Sequence, residues 1–456
     1  MLEITEEKYL NFIKWRNFHA GLWMLMIATS VLVLIKTRWH INSVYVSAPF
    51  LCFGMLFLLN ASFRNWADFI KQTGGFYRVT FTCLLAWGLF VGARNFVSMD
   101  PTVIRDMWGI RLTSWAWFVP AVMLLSINTC VIRQLLNVMM RQGALGLILL
   151  AIVWLPPLSL RTDFNLLWGC SALLLFWDHL PKWGRRTALA GAFLSLAFVV
   201  LSAERNMVLA HLLLMLCASY ILIMRKYHVR GRRLLGILAL YSLALILAYF
   251  VSYGDNRFLF GETIGTQITA FEKKLFKDTR TGSIVFGEGD AVVEGDVPRA
   301  NLFLDFLEDM GKWEMIFGRG SVGTYRSMAS GGISRANVEC GYLQVILKGG
   351  VVMLVLMLLL AIPAMIRGIF TSRNYVAKAF GFIVAGRLIE MVFFGLPEAS
   401  PRYALFWIAI GICLNSQILR MTDSQIEVYM DDQGDDDSNR GEMMSINPSG
   451  ISQKGI

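Results

Sequence analysis

Long runs of apolar residues, separated by short polar stretches, dominate the sequence. They predict about twelve membrane-spanning helices, near residues 18–35, 43–60, 78–93, 113–132, 143–158, 163–178, 187–202, 206–224, 233–252, 342–366, 376–395 and 403–420. Such runs are long enough because a helix rises about 1.5 Å per residue and the hydrocarbon core is about 30 Å thick. Apolar and polar residues do not alternate along them, which excludes a transmembrane barrel. We therefore predict an all-α polytopic membrane protein.

One large hydrophilic segment, residues 253–341, interrupts the apolar runs. This loop divides the chain into spans 1–9 (1–252), the loop itself, spans 10–12 (342–420) and an acidic tail (421–456). Within the loop, RANLFLDFLEDM at 299–310 has apolar residues at helical spacing, and the following IFGRGSVGTY has the glycines of a turn region. We expect a loop that contains short helices, and a disordered tail because the tail is acidic and lacks periodicity.

Composition agrees with a membrane protein. The chain is 56% hydrophobic and only 16% charged, with a mean hydropathy of +0.55, whereas about a quarter of the residues in soluble domains are charged. Most of the seven cysteines fall within or beside apolar runs, which argues against a disulfide framework and a Cys–His metal site. The first residues are polar and mixed in charge, so we read the first apolar run as a retained span and not as a cleaved signal peptide.

Basic residues predict the orientation. The net charge of +10 reports topology first in a membrane protein, so it does not indicate a nucleic-acid partner. An even number of spans places both termini on one side, and the short loops on that side are richer in Lys and Arg, including RKYHVRGRR at 225–233. We therefore predict cytoplasmic termini in a bacterial inner membrane, with residues 253–341 on the periplasmic side.

The predicted outer side is rich in arginine. These residues are Arg94, Arg105, Arg111, Arg161, Arg205, Arg257, Arg280, Arg299, Arg319, Arg326, Arg335 and Arg402. Arginine forks onto phosphate oxygens and stays charged in a partly dry site, so the set suits a diphosphate at headgroup depth. The alternative for each is a side chain that reaches lipid headgroups or pairs with a nearby acid. In LSAERNMVLAHLLL (201–214) a near-absent loop pins Arg205 to the membrane surface, although a structural pair with Glu204 remains open.

Three other positions could carry chemistry. Glu339 directly precedes a long span, where a carboxylate either stabilises a helix N-terminus or accepts a proton from an attacking hydroxyl. Arg387 and Glu390 lie three residues apart within one span, and we read them as a structural or cavity-lining pair. His211 also lies within a span. We interpret it as a core residue or a member of a polar network in preference to a catalytic group.

These stretches resemble the O-antigen polymerase and ligase group of bacterial envelope glycosyltransferases. LSAERNMVLAHLLL is similar to the short junction of serine and arginine that opens a span in this group, with Arg205 on the position of its arginine. The helix led by Arg299, the turn in FGRGSVGTY and the glycine-broken span in VECGYLQVILKGGVVML are similar to elements of the group's loop. The resemblance covers most of residues 186–366.

One departure separates the subclasses. Ligases of this group resemble one another in a histidine before the last of these spans, where this chain has Asn337 and Glu339, and residues 253–341 contain no histidine. The departure favours a repeat-unit polymerase of the Wzy type over an O-antigen ligase, which remains the alternative within the class. A lipid-linked sugar flippase is the alternative from another class, since transporters use broken helices and sites near the bilayer midplane. A peptidoglycan polymerase of the shape, elongation and division type is a further alternative for which no motif matches.

The resemblance implies polymerisation of undecaprenyl-diphosphate-linked oligosaccharide repeat units into an envelope polysaccharide. Glu339 would act as general base or position the sugar, and Arg205 and Arg299 would stabilise the diphosphate leaving group, with Arg280 and Arg335 as weaker candidates. The donor is already activated, so the resemblance implies no cofactor and no metal. Its implied partners are the lipid-linked oligosaccharide, the lipid bilayer and a chain-length regulator protein.

Overall fold

The computed structural model describes residues 14–28, 44–94, 119–127, 130–153, 167, 169–201, 213–214, 216–221, 299–320, 322–328, 332–335, 338, 340–393 and 400–431. Within these residues the chain is mostly helical, in agreement with the predicted all-α class. Two described helices are long and apolar enough to cross a membrane, Gly75–Ala93 and Gly341–Thr371. A third crossing results if Pro120–Ile127 and Cys130–Ile148, which are bent by 119°, form one span. The number of twelve spans stays a prediction.

The described elements fall before and after the large loop. Before it come α1 (14–28), α2 (Val44–Phe63), α3 (Trp66–Gln72), α4 (Gly75–Ala93), a 3-10 helix (Val119–Ile127), α5 (Cys130–Val153), α6 (Cys170–Leu173), a second 3-10 helix (Leu174–His179), α7 (Lys182–Leu201) and α8 (216–221). Within and after it come α9 (Arg299–Asp309), α10 (Lys312–Phe317), β1 (Tyr325–Ser327), β2 (Ile333–Arg335), α11 (Gly341–Ile366), a π-helical turn (Arg367–Thr371), α12 (Tyr375–Phe393), α13 (Pro401–Leu414), α14 (Ser416–Arg420) and α15 (Asp423–Asp431).

Helix α11 packs against both α4 and α12. One hydrogen bond and one ring contact show how it runs relative to α4. At one end of α4, Trp87 Nε1 donates to the carbonyl of Gly349, 2.7 Å away. At the other end, the guanidinium of Arg367 lies 5.5 Å from the centre of the Tyr77 ring. The two helices are therefore antiparallel. We call the end at Gly349 the loop end and the end at Arg367 the far end.

Helix α13 is buried along almost its whole length, against α12 and the 3-10 helix Val119–Ile127. It ends at Asn415, whose side-chain amide donates to the carbonyls of Ser126 and Ile127 at 3.4 and 3.1 Å. The Asn415 side-chain oxygen accepts from the backbone N–H groups at the start of α14. The predicted span 403–420 is therefore two helices that break at a buried asparagine.

Helix α5 differs from the sequence prediction. The polar residues between the predicted spans 113–132 and 143–158 indicated a loop, but the chain is helical throughout Cys130–Val153. The reason is that apolar residues continue at helical spacing across this stretch, with Val131, Leu135 and Val138 buried. The chain bends instead between Ile127 and Cys130.

The start of the predicted disordered tail is also helical. Ile426 in α15 is buried, and the Asp423 carboxylate accepts a 2.7 Å hydrogen bond from the backbone N–H of Tyr375. Residues 421–431 therefore pack at the far end of α12, because an apolar residue and a capping carboxylate lie among the acids. The rest of the predicted tail and span 233–252 lie outside the described residues.

Candidate functional site

The part of the loop that the structure describes is folded onto the start of α11. Helix α9 buries Leu302 and Phe306, and Met310 directly after it is also buried, so the helix predicted from this apolar spacing is confirmed. Strands β1 and β2 form an antiparallel hairpin beside it, and the Phe306 and Tyr325 rings pack edge to face at 5.7 Å. These rings form a small apolar cluster with Met310, Val338, Ile346 and Leu347. The loop therefore has a core of its own, shared with α11.

Arg319 ties the parts of this loop together. Its guanidinium forms ion pairs with Asp309 at the end of α9 and with Glu314 in α10, the latter at 2.7 Å, and it donates to the carbonyl of Thr324. All three contacts lie in the loop, so Arg319 stabilises the fold of the loop. Of the two interpretations of the loop arginines, the structural pairing is the one that applies to Arg319.

The charges of this cluster lower the pKa of both carboxylates. Burial alone would raise the pKa of Asp309, but hydrogen bonds from the Arg319 side chain and the Arg326 backbone, with both positive charges, together lower it. The Arg319 hydrogen bond, followed by that from the Gly311 backbone, lowers the pKa of Glu314. Both carboxylates therefore stay ionised at neutral pH and accept hydrogen bonds from Arg319.

Two glycines allow the loop backbone to touch α11. Gly318 (φ 69°, ψ 171°) and Gly350 (φ 74°, ψ 177°) have backbone angles that are almost restricted to glycine. A Cβ at Gly350 would meet the carbonyl oxygen of Ile316, and one at Gly318 would meet the carbonyl of Lys348. The predicted glycine turn and glycine-broken span are both confirmed, and they pack against each other.

The break in α11 at Gly350 leaves main-chain groups that the loop and α4 satisfy. The backbone N–H groups of Arg319 and Gly320 donate to the carbonyls of Leu347 and Lys348 at 2.7 and 3.0 Å. The Lys348 side chain is fully buried and donates to the carbonyl of Gly323 at 2.5 Å. The bonds run in both directions between loop and helix, so the two form one unit.

The start of α11 also packs on the last turns of α12. The Tyr342 hydroxyl donates to the carbonyl of Leu388 at 2.7 Å, and the Cys340 thiol lies 3.6 Å from the carbonyl of Met391. Arg387 and Glu390 lie on these turns. They form the expected ion pair at 2.7 Å, with side chains only 9% and 11% exposed, and the Arg387 guanidinium lies 5.6 Å from the centre of the Tyr403 ring. A buried ion pair therefore lies close to the helix start that Glu339 precedes in sequence.

The predicted site residues are placed only in part. Arg335 ends β2, pairs with Tyr325 of β1 and is half-buried. Arg299 is the first residue of α9, which packs on the same hairpin. The structure therefore brings the helix led by Arg299 and the strand that ends at Arg335 into one folded unit. Arg205, Arg280 and Glu339, with Glu204 and His211, lie outside the described residues.

Sequence reasoning missed the roles of three residues at the loop end, namely Arg94, Trp87 and Lys348. Arg94 Nη1 donates to the carbonyls of Phe317 and Gly318, both at 2.9 Å, and so joins the end of α4 to the loop. Their partners are main-chain carbonyls of distant residues, which carry no sequence signal. The glycine pairs at 318–320 and 349–350 are the one signal that marked this contact.

No protein-family model matches the sequence, and neither a curated protein nor a solved structure matches it. The resemblance to the polymerase and ligase group therefore stays a basis for a proposal.

Proposed function

We propose that this protein is a multi-pass glycosyltransferase of a bacterial inner membrane that polymerises lipid-linked oligosaccharide repeat units on the periplasmic side. The observation that carries the proposal is the folding of a polar, arginine-containing loop onto the start of an apolar helix of spanning length. Strand β2 ends at Arg335, six positions before that helix begins, and Arg387 and Glu390 form a buried ion pair on the α12 turns that the helix start contacts. Charged groups at such a position are functional candidates by default.

The proposed reaction is a single glycosyl transfer. A hydroxyl of the incoming repeat unit attacks the anomeric carbon of the growing chain, and a new C–O bond forms as the bond to the diphosphate oxygen breaks. Glu339 accepts the proton of the hydroxyl. Arg205 and Arg299, with Arg280 and Arg335 in supporting roles, stabilise the negative charge on the leaving undecaprenyl diphosphate. A chain-length regulator protein is the proposed partner.

A specific observation favours a second candidate, a lipid-linked sugar transporter. Helix α11 is broken at Gly350, and the pair Pro120–Ile127 and Cys130–Ile148 is bent by 119°. Broken helices that leave backbone groups unpaired are typical of transporter binding sites. At Gly349, however, the freed carbonyl already accepts from Trp87, so this break is used for packing against α4.

A strain that lacks the gene tests the proposal. Its envelope glycan is separated by gel electrophoresis after complementation with wild type, Arg205→Ala, Arg299→Ala or Glu339→Gln at matched protein levels. We expect single repeat units in the deletion strain, a ladder with wild type and no ladder with Arg205→Ala. Arg326→Ala is the control, because Arg326 is an exposed arginine of the same loop whose side chain bonds to the carbonyl of Gly332.

Other outcomes identify the alternatives. Long chains that stay on the polyprenyl carrier in the deletion strain would indicate a ligase. Repeat units that accumulate on the cytoplasmic side would indicate the transporter. A normal ladder with Arg205→Ala would remove this arginine from the proposed site.

A further inference from the structure

An open cleft lies between the loop end of α4 and helix α10. It has a volume of about 350 Å³ and is lined by Phe90, Arg94, Trp313, Glu314, Phe317 and Gly318. Its accessible surface is almost entirely apolar. The volume lies at the lower end of the range for small-molecule pockets, roughly 300–1,000 Å³.

Two aromatic rings of α10, those of Trp313 and Phe317, line the cleft, and the Trp87 ring extends their stack. Phe317 lies between Trp87 and Trp313, with ring centres 5.8 and 5.9 Å apart and both pairs stacked. Trp87 belongs to α4, whereas Trp313 and Phe317 belong to α10. Trp313, the outermost ring, is 73% exposed. Tryptophan is enriched where a membrane meets water, because one part of its ring is apolar and its N–H is polar.

A stripe of exposed apolar side chains on α4 leads into this cleft. Along this helix, which is long and apolar enough to cross a membrane, the exposed large side chains are Phe76, Val79, Leu89 and Phe90. They lie on one broad face of the helix, where the exposed Thr82, Cys83 and Ala86 separate Val79 from Leu89, and Phe90 at the end of the stripe also lines the cleft. A hydrocarbon chain that lies along this face therefore meets mostly apolar side chains up to the cleft.

Arg94 supplies a positive charge at the rim, directly after the end of α4. Its bonds to Phe317 and Gly318 use only Nη1. Among the residues that the structure describes, Nε and Nη2 of Arg94 have no hydrogen-bond partner. The nearest acid of the lining, Glu314, is already bound by Arg319 and by the Gly311 backbone. The rim therefore offers arginine donors in a fixed position to an anion.

We propose that this cleft binds an anionic bilayer phospholipid, with one acyl chain against Phe90 and the ring stack and the phosphate on Arg94. A sugar is disfavoured because its hydroxyls would find almost no polar partner in an apolar lining. The small volume fits a segment of one acyl chain and gives no room for a long polyprenyl chain. The site does not depend on the proposed glycosyl transfer, but it does require that α4 spans the membrane.

The position of Arg94 gives the lipid a role. The same guanidinium bonds to the end of α10 and would bind the phosphate, so a bound lipid draws the loop against α4. Helix α10 also carries Glu314, which pairs with Arg319 and so connects to the contact with α11. The lipid would therefore hold the loop in its docked position.

Quenching of Trp313 fluorescence tests the proposal. The purified full-length protein in detergent is titrated with phosphatidylglycerol that has brominated acyl chains, which quench tryptophan on contact. The fluorescence of Trp313 is obtained by subtracting the signal of the same protein with Trp313→Phe from the signal of each protein. We expect saturable quenching of Trp313 by phosphatidylglycerol and weaker quenching by brominated phosphatidylcholine. In Arg94→Gln, which keeps N–H donors for the two carbonyls but loses the charge, the midpoint shifts about fivefold to higher lipid.

Controls separate this result from general effects. Arg94→Lys keeps the charge and should restore part of the affinity. Arg78→Gln should leave the Trp313 signal unchanged, because Arg78 is an arginine at the other end of α4 that also bonds to a main-chain carbonyl, that of Ile70. Equal quenching of the wild-type protein by phosphatidylglycerol and phosphatidylcholine would overturn the proposal, whatever the variants show. Displacement of phosphatidylglycerol by undecaprenyl diphosphate at a low molar ratio would also overturn it, because the occupant would then be the carrier lipid.

Discussion

The two ends of the helix bundle are closed by different chemistry. At the loop end, the charged side chains of Arg319, Arg94 and Lys348 bond to main-chain carbonyls. At the far end, the neutral amides of Asn374 and Asn415 bond to main-chain carbonyls, alongside Arg367 and Lys378, which donate to the carbonyls of Leu414 and Ser372. Asn374 donates to the carbonyls of Ile418 and Met421, and Asn415 to those of Ser126 and Ile127. The far end therefore combines neutral amides with cations, whereas the loop end contains a cation, Arg319, that also pairs with two carboxylates.

The difference matters because buried charges are costly. A cation that leaves water loses solvation that hydrogen bonds replace only in part, whereas a satisfied amide costs less. We place the proposed function at the loop end, because Lys348 is fully buried there and Arg319 pairs with two carboxylates. Four substitutions test how far the two ends differ, from the largest expected effect to the smallest.

Gly350→Ala should have the largest effect. The new Cβ would meet the Ile316 carbonyl, and the backbone angles of Gly350 are nearly restricted to glycine. We expect a loss of about 3 kcal/mol or more in the free energy of unfolding, seen as a lower Tm of the purified protein. Gly75→Ala is the control, because a Cβ there has open space except for the Arg78 side chain. Equal Tm values for the two variants would show that the loop does not dock at Gly350.

Asn415→Ala tests the far end. It removes two donors and two accepted hydrogen bonds at a side chain that is almost fully buried. Unpaired buried groups cost about 1–3 kcal/mol, so we expect a loss of about 2 kcal/mol in the same thermal measurement. The neighbouring exposed Gln417→Ala should be close to wild type. An unchanged Tm for Asn415→Ala would mean that the neutral bonds do not close this end.

Arg319→Met tests the loop end through pH. The pKa values of Asp309 and Glu314 are lowered in the folded protein. Their ionised forms therefore add stability that is complete above the unfolded pKa values of about 4 and lost as the pH falls through the lower folded values. We expect Arg319→Met to lose about 2 kcal/mol at pH 7. It should also have a shallower loss of Tm than wild type as the pH falls below about 4.

The far-end variant supplies the comparison for this pH dependence. The hydrogen bonds of Asn415 involve no titratable group, so Asn415→Ala should lower Tm by a similar amount at every pH in this range. If Arg319→Met and wild type lose Tm in parallel on acidification, the ion pairs of Arg319 do not stabilise the loop.

Trp87→Phe should have the smallest effect. Phenylalanine keeps a ring against Phe317 but loses the N–H that donates to the carbonyl of Gly349. One such hydrogen bond is worth about 1 kcal/mol, so we expect a small decrease in Tm. Trp183→Phe, a half-exposed tryptophan of α7, is the matched control. A decrease of the same size in both variants would mean that the carbonyl at the helix break does not need Trp87.

The sequence correctly predicted the structural elements that depend on a local pattern of residues. The helix at 299–309 followed from apolar spacing, and the glycine turn and the break in the last long span followed from glycine positions. It missed the continuity of α5, because polar residues such as Arg141 suggested a loop where the apolar positions continue. It also missed Asn374 and Asn415, since a polar residue near an apolar run gives no sign of which distant carbonyls it will meet.

The candidate site was predictable to a smaller extent. The pairing of Arg387 with Glu390 followed from their spacing on one helix. The contact of these turns with Tyr342 depends on how two spans pack, which no local pattern specifies. The partners of Arg319, Asp309 and Glu314, come from two separate helices. The sequence alone therefore could not show that Arg319 has a structural role whereas Arg335 is proposed to bind the diphosphate.

A reconstituted assay of glycosyl transfer tests the central claim most directly. The purified protein in liposomes is given the lipid-linked oligosaccharide extracted from the deletion strain, and glycan length and released undecaprenyl diphosphate are followed together. We predict a growing ladder with stoichiometric release for wild type, nearly the same rate for Arg326→Ala, and a rate lower by about tenfold or more for Arg335→Ala. Folded wild-type protein that forms no ladder, or an Arg335→Ala variant as fast as Arg326→Ala, would contradict a glycosyl-transfer site at the loop end.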